Sequence, residues 1–567
     1  MLLLLLAQLV SPPIQPGPAR IPERAPNQQP RFPEQPDSET TPSIALPSDE
    51  PLRPAAEDSS PAGSDEPVPS RTVTIVGDLP YSKKTLNELL ERCSKANDQT
   101  SRLRQCAEAL TGLLQNDGYV NSRVYIEAEP APGQLAVVMG RLVELRIESE
   151  SAGLKQRVRQ RLSPLLSRTL NLPDLQQQLQ LLKQRSVVGT VAGSLGKLGS
   201  DPTQAVLNLA VTPANQPWRG DISMSNDGNA GSGEWRSVAV MQKPTLLTDG
   251  DVFQVYGELS ADGDPELGTT LASLSYTYPL SESWALTGSF GASRRKLVEA
   301  KGAANDLSFR QFQGLAQLQW TFSESGDQTW YASAGLSINR NNSYLDGESV
   351  PLIIGGGPDG ELTSGYLRLG IGHAGNNGNL GWSAQIYGLQ GIAGLSSQAQ
   401  LEDFSFFGIQ PGEARAVGGV ASLGWNMKPN LQLNLRASGQ AAFNELTSNM
   451  GFGLGSGVGL RGLPGTLISG DNGWLSTGEL NWTVWQNSNQ ALQLVPFIGM
   501  GGIQTTRDSV SLDDTIGTGG LLLRWLRGRH WSVEVGWVDQ FNANDNDGIW
   551  NDWLLGSGAY GKVGFKF

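Results

Sequence analysis

The segment from Trp218 to the C-terminus most constrains the fold, because apolar and polar residues alternate there over short stretches separated by turn residues. In one such stretch Phe253 and Val255 fall on one face of an extended chain and Gln254 falls on the other. All 15 Trp residues lie in this segment. Alternation with aromatic residues near the segment ends is typical of a transmembrane β-barrel. We therefore predict an antiparallel outer-membrane β-barrel over 215–567.

The alternating segments predict about sixteen strands, an even number that places both ends of the barrel on one side. The predicted strands are 218–228, 232–243, 251–260, 269–279, 284–297, 308–322, 328–343, 363–375, 380–392, 413–426, 431–444, 472–486, 491–504, 515–526, 530–541 and 558–567. A closed barrel leaves no unpaired strand edge in lipid, so the last strand must meet the first. A large soluble β-sandwich or propeller is the less favoured alternative, because charged residues are only 17% and Gly reaches 69 of 567.

Composition also excludes several classes of function. Lys+Arg is 42 against Asp+Glu 55, and a net charge of -13 argues against nucleic-acid binding, which needs a positive surface. The chain has two histidines, His373 and His530, which fall near predicted strand ends, where we expect them to be solvated. Two histidines are too few for most His-ligated metal sites, and they leave little choice of a catalytic base for a His-dependent hydrolase. We predict no metal site and no cofactor.

The N-terminal region divides into two segments before the first domain. Residues 1–10 are apolar except for Gln8, about the length of a signal-peptide core and too short to cross a bilayer, so we expect an export signal. Residues 11–70 contain sixteen of the 33 prolines and a single aromatic residue, Phe32. Such a segment cannot bury a core, and we predict a disordered, partly polyproline linker.

Two α+β units occupy 71–139 and 140–214. Each has the element order β-α-α-β-β, with leucines at helical spacing on both helices, and a repeated order of this kind indicates repeated small domains. Cys93 and Cys106 fall on the apolar faces of the two helices of the first unit. In an exported protein a disulfide between them is plausible, and two buried thiols are the alternative.

This order of parts resembles the TpsB transporters of two-partner secretion, the hemolysin-activator type, in the superfamily that also contains the barrel-assembly protein BamA. The resemblance covers about 71–567. It implies two periplasmic POTRA domains and a sixteen-stranded barrel that exports a large partner protein. The motifs that carry it are Asp117-Gly118-Tyr119-Val120, Met139-Gly140-Arg141-Leu142 and Gly459-Leu460-Arg461-Gly462. The end of the chain, with Phe565 and Phe567 on one face, resembles the final strand that the barrel-assembly machinery reads.

The third motif carries the most functional information. In the resembling family a long loop folds back into the lumen with a Val-Arg-Gly-aromatic tip, and the matching residues here are Leu460, Arg461, Gly462 and Leu463. The family pairs this Arg with the Asp of a Phe-x-Asp motif, but the matching position here is Gly499. A guanidinium inside a barrel favours a carboxylate partner, and Glu479, on the presumed lumen-facing side of the preceding strand, is a candidate substitute. The alternative is that Arg461 lies in a solvated Gly-rich loop without such a partner.

The function that the resemblance implies is a non-enzymatic protein transporter of the bacterial outer membrane. The POTRA-like domains would capture an unfolded exoprotein in the periplasm, and the barrel would export it. We expect a monomer in contact with outer-membrane lipids and the barrel-assembly machinery, with no nucleic acid. A BamA-type assembly factor is the first alternative, although two small domains favour secretion. A porin with docking modules and an outer-membrane hydrolase are the others. The Pro-rich linker predicts no plug helix.

Overall fold

A computed structural model describes the following parts of the chain: 44–45, 73–93, 98–127, 133–183, 188–214, 217–228, 233–261, 267–296, 307–325, 327–455, 459–462, 468–507, 510–542 and 558–567. The predicted export signal and almost all of the predicted linker lie outside these residues. Within them, no helix combines the length and the apolar character needed to cross a membrane. The chain divides between residues 215 and 216 into two compact units, which are described in turn.

The first small domain has the predicted order of elements. Its elements are β2 Thr74–Val76, α1 Lys83–Cys93, α2 Gln99–Asn116, β3 Arg123–Glu127 and β4 Gln134–Val138. In the three-stranded sheet β4 lies in the centre, parallel to β2 and antiparallel to β3. Asp98 caps the N-terminus of α2: its carboxylate accepts a hydrogen bond from the Ser101 N–H at 2.8 Å and so satisfies a free helix donor. One face of α2, with Leu110 and Leu114, is fully buried.

A disulfide joins the two helices of this domain. Cys93 ends α1, Cys106 lies in the middle of α2, and their Cα atoms are 5.0 Å apart. Both residues are buried in one apolar cluster with Leu103 and Leu135. The bond closes a short loop of chain between the helices and fixes their relative position.

The second small domain repeats the architecture. Its elements are β5 Arg141–Glu148, α3 Ala152–Leu162, α4 Leu172–Lys183, β6 Val188–Leu198 and β7 Asp201–Pro213. In its sheet β7 lies between β5 and β6, parallel to the first and antiparallel to the second. A further short strand, β1 Ile44–Ala45, pairs in parallel with the outer side of β6. The core is one cluster of aliphatic side chains that includes Leu154, Leu179, Leu207 and Leu209.

The two small domains meet at an elbow whose atoms are close-packed. Gly118 has φ +91°, and a Cβ there would lie 2.4 Å from Cδ of Pro173. Its carbonyl accepts a hydrogen bond from the Leu172 N–H at 2.9 Å. Asn121 donates from Nδ2 to the carbonyl of Thr203 at 2.9 Å. Gly118 belongs to the first motif of the resemblance, and Asn121 Nδ2 also lies 3.5 Å from the carbonyl of Arg141 in the second motif, so both motifs lie at the contact between the domains.

The second unit is a closed antiparallel barrel of sixteen strands, which confirms the predicted fold class. Its strands are β8 Arg219–Ser225, β9 Trp235–Pro244, β10 Val252–Ala261, β11 Leu267–Pro279, β12 Trp284–Lys296, β13 Leu307–Glu324, β14 Gln328–Leu345, β16 Glu361–Asn377, β17 Leu380–Gly391, β18 Arg415–Lys428, β19 Leu431–Ala442, β22 Asn472–Gln486, β23 Gln490–Arg507, β24 Val510–Arg527, β25 Trp531–Asn542 and β26 Ala559–Lys566. A two-residue strand, β15 Glu348–Ser349, pairs antiparallel with the end of β14. Closure occurs where β26 pairs with β8.

The longest connections of the barrel lie at one of its ends. Short turns such as 378–379 and 429–430 lie at the end where the first strand begins and the last strand ends, and long connections such as 392–414 and 443–471 lie at the opposite end. These two long connections contain structure of their own. One contains helix α5 Gln398–Phe406, and another contains a two-stranded sheet of β20 Phe452–Leu454 and β21 Ile468–Gly470.

The outer surface of the barrel is apolar, and aromatic side chains gather near the short turns. Exposed aromatic residues there are Trp284, Trp320, Phe322, Trp330, Trp425, Trp482, Trp485 and Trp531. Such a ring is typical of the interface between lipid and water. The expectation of a solvated His373 is wrong, because its ring stacks on Trp330 with centroids 4.2 Å apart and its Nδ1 accepts a hydrogen bond from Trp382 Nε1 at 3.4 Å.

Phe565 and Phe567 lie at the seam that closes the barrel. Phe565 pairs with Ile222 of β8, and the backbone of Phe567 exchanges two 3.0 Å hydrogen bonds with Gly220. A Cβ on Gly220 would lie 2.3 Å from the Phe567 ring, so the glycine allows that ring to lie against β8. Phe565 also contacts Trp531, with ring centroids 4.8 Å apart.

Candidate functional site

The connection 443–471 brings an arginine to the inner wall of the barrel. Leu460 is fully buried, and Gly459 and Gly462, on either side of Leu460 and Arg461, have φ values of +125° and +80° that favour glycine. From the wall, Gln540 donates from Nε2 to the Gly462 carbonyl at 3.2 Å. The loop tip is therefore held by its backbone as well as by its side chains. Leu463, the fourth residue of the predicted tip, lies outside the described part of the chain.

Arg461 contacts two carboxylates on the barrel wall. Its Nη2 lies 2.6 Å from Oε2 of Glu479 on β22, and its Nη1 lies 2.9 Å from Oε2 of Glu534 on β25. The structure therefore brings together Arg461 and Glu479, the two residues that the sequence placed in one ion pair. It adds a second carboxylate that sequence reasoning missed.

A second arginine closes these contacts into a ring. Arg524 on β24 lies 2.7 Å from Oε1 of Glu534 through Nε and 3.2 Å from Oε1 of Glu479 through Nη2. Its Nη1 donates to Oδ1 of Asn481 at 2.6 Å. Each arginine thus contacts both glutamates, and each glutamate contacts both arginines. We call Arg461, Glu479, Arg524 and Glu534 the lumen ion-pair ring.

The electrostatics of the lumen ion-pair ring follow from its composition. Two positive and two negative groups give no net charge, and the side chains are only 11–25% exposed. Removing one member of such a partly desolvated set leaves an uncompensated charge, which is far more costly than losing one exposed pair. Arg461 is the only member on a loop. The ring can therefore hold that loop against three wall strands, and it is the contact that must break if the loop moves.

Gly499, the position where the resembling family has an acidic residue, has a different role here. A Cβ at Gly499 would lie 2.8 Å from Cδ2 of Leu460 and 3.2 Å from Cγ2 of Thr477. The absence of a side chain therefore makes room for Leu460. The negative charges come instead from Glu479 and Glu534 on other strands. The Arg461 guanidinium also lies 5.8 Å from the centre of the Phe497 ring, within the range of a cation–π contact.

The sequence contained a signal for the two missed residues. Glu534 lies between Val533 and Val535, and Arg524 follows three leucines, so each is a charge in an otherwise apolar stretch. Successive side chains of a strand point to opposite faces. Val535 is 51% exposed on the outside of the barrel, so its neighbour Glu534 faces the lumen. What the sequence did not contain is the register that pairs Arg524 directly with Glu534.

No group of three or more potential metal ligands occurs among the described residues. The four charged side chains of the lumen ion-pair ring are all engaged with one another.

Comparison with known proteins identifies the family of this chain. The model of the family described as haemolysin secretion/activation protein ShlB/FhaC/HecB matches residues 204–520, more than half of the chain. The chain belongs to this family. ShlB/FhaC/HecB proteins are outer-membrane transporters of the TpsB type within the Omp85 superfamily, so the predicted resemblance is confirmed.

Solved structures support the same fold for this ShlB/FhaC/HecB member. CdiB from Escherichia coli matches with a TM-score of 0.61 at 18% identity, over 90% of this chain and 93% of that chain. CdiB from Acinetobacter baumannii gives 0.57 at 17% identity, over 93% and 95%. BamA from Haemophilus ducreyi lacking POTRA domains 1-3 gives 0.50 at 15% identity, over 87% and 99%. A search of curated proteins gave no match.

Proposed function

We propose that this protein captures an unfolded partner exoprotein with its two POTRA-like domains and exports it through the barrel across the bacterial outer membrane. The observation that carries the proposal is the lumen ion-pair ring. A loop residue, Arg461, is held at the inner wall by charged groups of β22 and β25, an arrangement suited to a gate that opens by breaking non-covalent contacts. No covalent chemistry is needed.

Each part of the molecule has a place in this mechanism. The small domains lie in the periplasm and offer sheet edges and helix grooves, the two surfaces that bind extended or amphipathic segments of an unfolded chain. The exposed apolar outer surface contacts outer-membrane lipids, and Phe565 and Phe567 at the seam serve as the signal for the barrel-assembly machinery. Folding of the client outside the cell supplies the direction of transport. The protein acts as a monomer.

The first experiment is the extracellular proteome with and without the gene, measured by mass spectrometry of culture supernatant and shed surface material. Loss of one or two large proteins, with outer-membrane barrels at normal levels, is the expected result and names the client. A general fall in outer-membrane barrels would reject export and support the alternative of a BamA-type assembly factor.

The gate is tested by single-channel conductance in planar bilayers. Glu534→Gln removes one carboxylate from Arg461 and from Arg524, so we expect longer or more frequent open events than in the wild type. The matched control is Glu361→Gln, which removes the carboxylate partner of Arg340 outside the ring, where the arginine side chain is 56% exposed. Equal conductance of both variants and the wild type would reject the ring as a gate.

A further inference from the structure

We infer that three arginines on the outer face of the barrel bind the phosphate headgroup of a lipid in the outer leaflet of the membrane. They are Arg294 on β12, Arg310 on β13 and Arg340 on β14, and we call them the rim arginine cluster. All three residues are exposed, and they lie toward the end of the barrel with the long connections. The assignment to the outer leaflet rests on the orientation in the proposed function, but the binding site itself does not.

The alternation along each strand places the rim arginine cluster on the side that faces lipid. On β13 Arg310 and Phe312 are both exposed, whereas Gln311 between them is buried. On β14 Arg340 is exposed, whereas its neighbour Asn341 is buried. Successive side chains of a strand point to opposite faces, so the buried amides line the inside of the barrel and the arginines point outward.

Each arginine of the cluster lies ten residues along its strand from an exposed tryptophan near the short turns. The pairs are Trp284 with Arg294, Trp320 with Arg310 and Trp330 with Arg340. Ten residues at about 3.4 Å each, on a strand tilted by roughly 40° from the barrel axis, span about 26 Å along that axis. The apolar band of an outer-membrane barrel is about 25 Å tall. The tryptophans and the arginines therefore lie at its two boundaries, and the guanidinium groups lie at the level of lipid headgroups.

The rim arginine cluster concentrates positive charge that one carboxylate only partly balances. Arg294 lies directly opposite Arg310 on the neighbouring strand, and like charges in that position repel. Arg310 pairs with Asn342, so Arg340 is its diagonal neighbour on β14. Glu361 forms an ion pair with Arg340, but among the described residues no carboxylate pairs with Arg294 or Arg310. An anion between these two arginines would remove their repulsion and gain charge-assisted hydrogen bonds.

The surroundings of Arg310 fit a lipid better than a free ion. Its guanidinium lies 4.9 Å from the centre of the Tyr344 ring, a cation–π contact that restricts its movement. Toward the middle of the apolar band, Phe290 and Phe312 are 55% and 45% exposed, with ring centroids 6.4 Å apart. Guanidinium groups match the geometry of phosphate, and exposed aromatic rings contact acyl chains. The occupant is therefore a lipid whose phosphate contacts the arginines and whose acyl chains lie along the phenylalanines.

Binding is tested by native mass spectrometry of the full-length protein in detergent micelles with added lipid A, which carries two phosphates. The comparison is the same lipid after removal of both phosphates. We expect lipid A to remain bound and the dephosphorylated lipid to bind roughly tenfold more weakly or less, the effect of losing a charge-assisted hydrogen bond. Inorganic phosphate at the same concentration should not displace lipid A. Equal binding of the two lipids, or displacement by inorganic phosphate, would overturn the assignment.

Arg310→Gln tests the cluster, and Arg415→Gln is its matched control. Arg415 on β18 is also exposed and lies ten residues from an exposed tryptophan, Trp425, but its Nε donates to Oε1 of Gln390 at 2.7 Å and it is not a member of the cluster. We expect Arg310→Gln to bind lipid A roughly tenfold more weakly and Arg415→Gln to bind it like the wild type. Equal binding by the two variants would overturn the proposal, whether both lose affinity or neither does.

A second measurement separates lipid binding from a structural role of Arg310. Each protein is melted in micelles with and without lipid A, after its heat-modifiable migration on gels has shown that the barrel is folded. A ligand that binds only the folded state raises the melting temperature. We expect this rise for the wild type and Arg415→Gln but not for Arg310→Gln. A variant that is destabilised yet gains as much from lipid A as the wild type would show a purely structural role and would overturn the site.

This inference and the proposed function fail separately, because the micelle assays need neither export nor a particular orientation in the membrane. If export is not the function, gene loss leaves the supernatant proteome unchanged, while the rim arginine cluster still binds lipid A. If the cluster is not a lipid site, the three proteins bind lipid A equally, while the secreted client still disappears with the gene.

Discussion

At the scale of single residues, the barrel wall contacts the loop tip and its charged partners through small and charged side chains. Gly499 gives space to Leu460, and Arg524 is positioned by its strand to neutralise two carboxylates whether or not the loop is present. The loop therefore meets a wall that is already partly neutralised. Release of Arg461 leaves one arginine between two glutamates and does not leave two bare carboxylates.

Gly499→Ala tests the contact between wall and loop. The added Cβ overlaps Leu460, so we expect the loop to shift and the barrel to lose about 1–3 kcal/mol of stability, the usual cost of overpacking. Trypsin should then cleave more rapidly after Arg461. Gly288→Ala is the control, because a Cβ there meets nothing within 4 Å. Unchanged cleavage in Gly499→Ala would show that Leu460 does not position the loop.

Arg524→Gln should have the opposite effect on the loop. Without Arg524 the two glutamates have only Arg461 as a partner in the ring, so the loop binds more tightly and tryptic cleavage after Arg461 falls below the wild-type rate. Glu479→Gln removes a carboxylate from Arg461, and loss of a charged hydrogen bond of about 1.5–3 kcal/mol should raise cleavage about tenfold or more. The prediction fails if both variants change the cleavage rate in the same direction.

How far the sequence predicts the site depends on whether a contact is local. Alternation of period two is local, so it predicted the strands and placed Glu479 on the inner face. The partnership of Arg524 with Glu534 depends on the register of two neighbouring strands, and that of Ile44 with Gly193 depends on residues far apart in sequence. Neither follows from a pattern along one segment. His373 was wrongly predicted to be solvated because a position near a strand end says nothing of the aromatic rings on neighbouring strands.

At the scale of elements, one short turn and one pair of helices are fixed by specific bonds. The carboxylate of Asp251, fully buried in the turn between β9 and β10, accepts hydrogen bonds from the N–H groups of Leu246, Leu247 and Thr248 at 2.7–2.9 Å and from the Tyr276 hydroxyl at 2.6 Å. Burial raises the pKa of Asp251, but these hydrogen bonds outweigh burial, so its pKa lies below the usual range.

Asp251→Asn should therefore destabilise the barrel in a pH-dependent way. The lowered pKa means that the native carboxylate contributes stability above the unfolded-state pKa of about 3.9 and loses it as pH falls through the folded-state value. We expect a loss of about 2 kcal/mol at pH 7 and little difference from the wild type in strong acid. Urea unfolding in lipid vesicles across this pH range measures it. A difference that is constant with pH would contradict the assigned role of the charge.

Reduction of the bond between Cys93 and Cys106 should destabilise the first small domain alone. Their separation of 13 residues corresponds to about 3 kcal/mol of lost chain entropy in the unfolded state. Calorimetry with and without reductant should show a lower melting temperature for that domain and an unchanged barrel transition. The double variant Cys93→Ala with Cys106→Ala is the control and should not respond to reductant. An equal response of both proteins would contradict the prediction.

At the scale of the whole molecule, barrel closure depends on one seam. The last strand, β26, pairs with β8, and in lipid every backbone group must find a partner within the protein. Removal of this strand would expose the edges of β25 and β8 together. The seam is therefore required for closure of the barrel.

Deletion of residues 559–567 tests this dependence. We expect the protein to lose the compact, heat-modifiable form that closed barrels show on gels and to fail to insert into lipid vesicles. Deletion of residues 546–554, an equal length taken from the connection between β25 and β26, is the control and should insert normally. Insertion of both proteins to the same extent would show that the barrel can close on a different pair of strands.

The elbow between the small domains has a mechanical consequence. Because Gly118 and Pro173 leave no space for a side chain between them and Asn121 ties the first domain to Thr203 of the second, the pair cannot hinge without breaking several bonds at once. The two small domains therefore move as one rigid unit. Under the proposed capture, a pull on a client bound to the first domain is then delivered to the second with little loss, and the distance between the sheets of the two domains stays fixed for any segment that spans both.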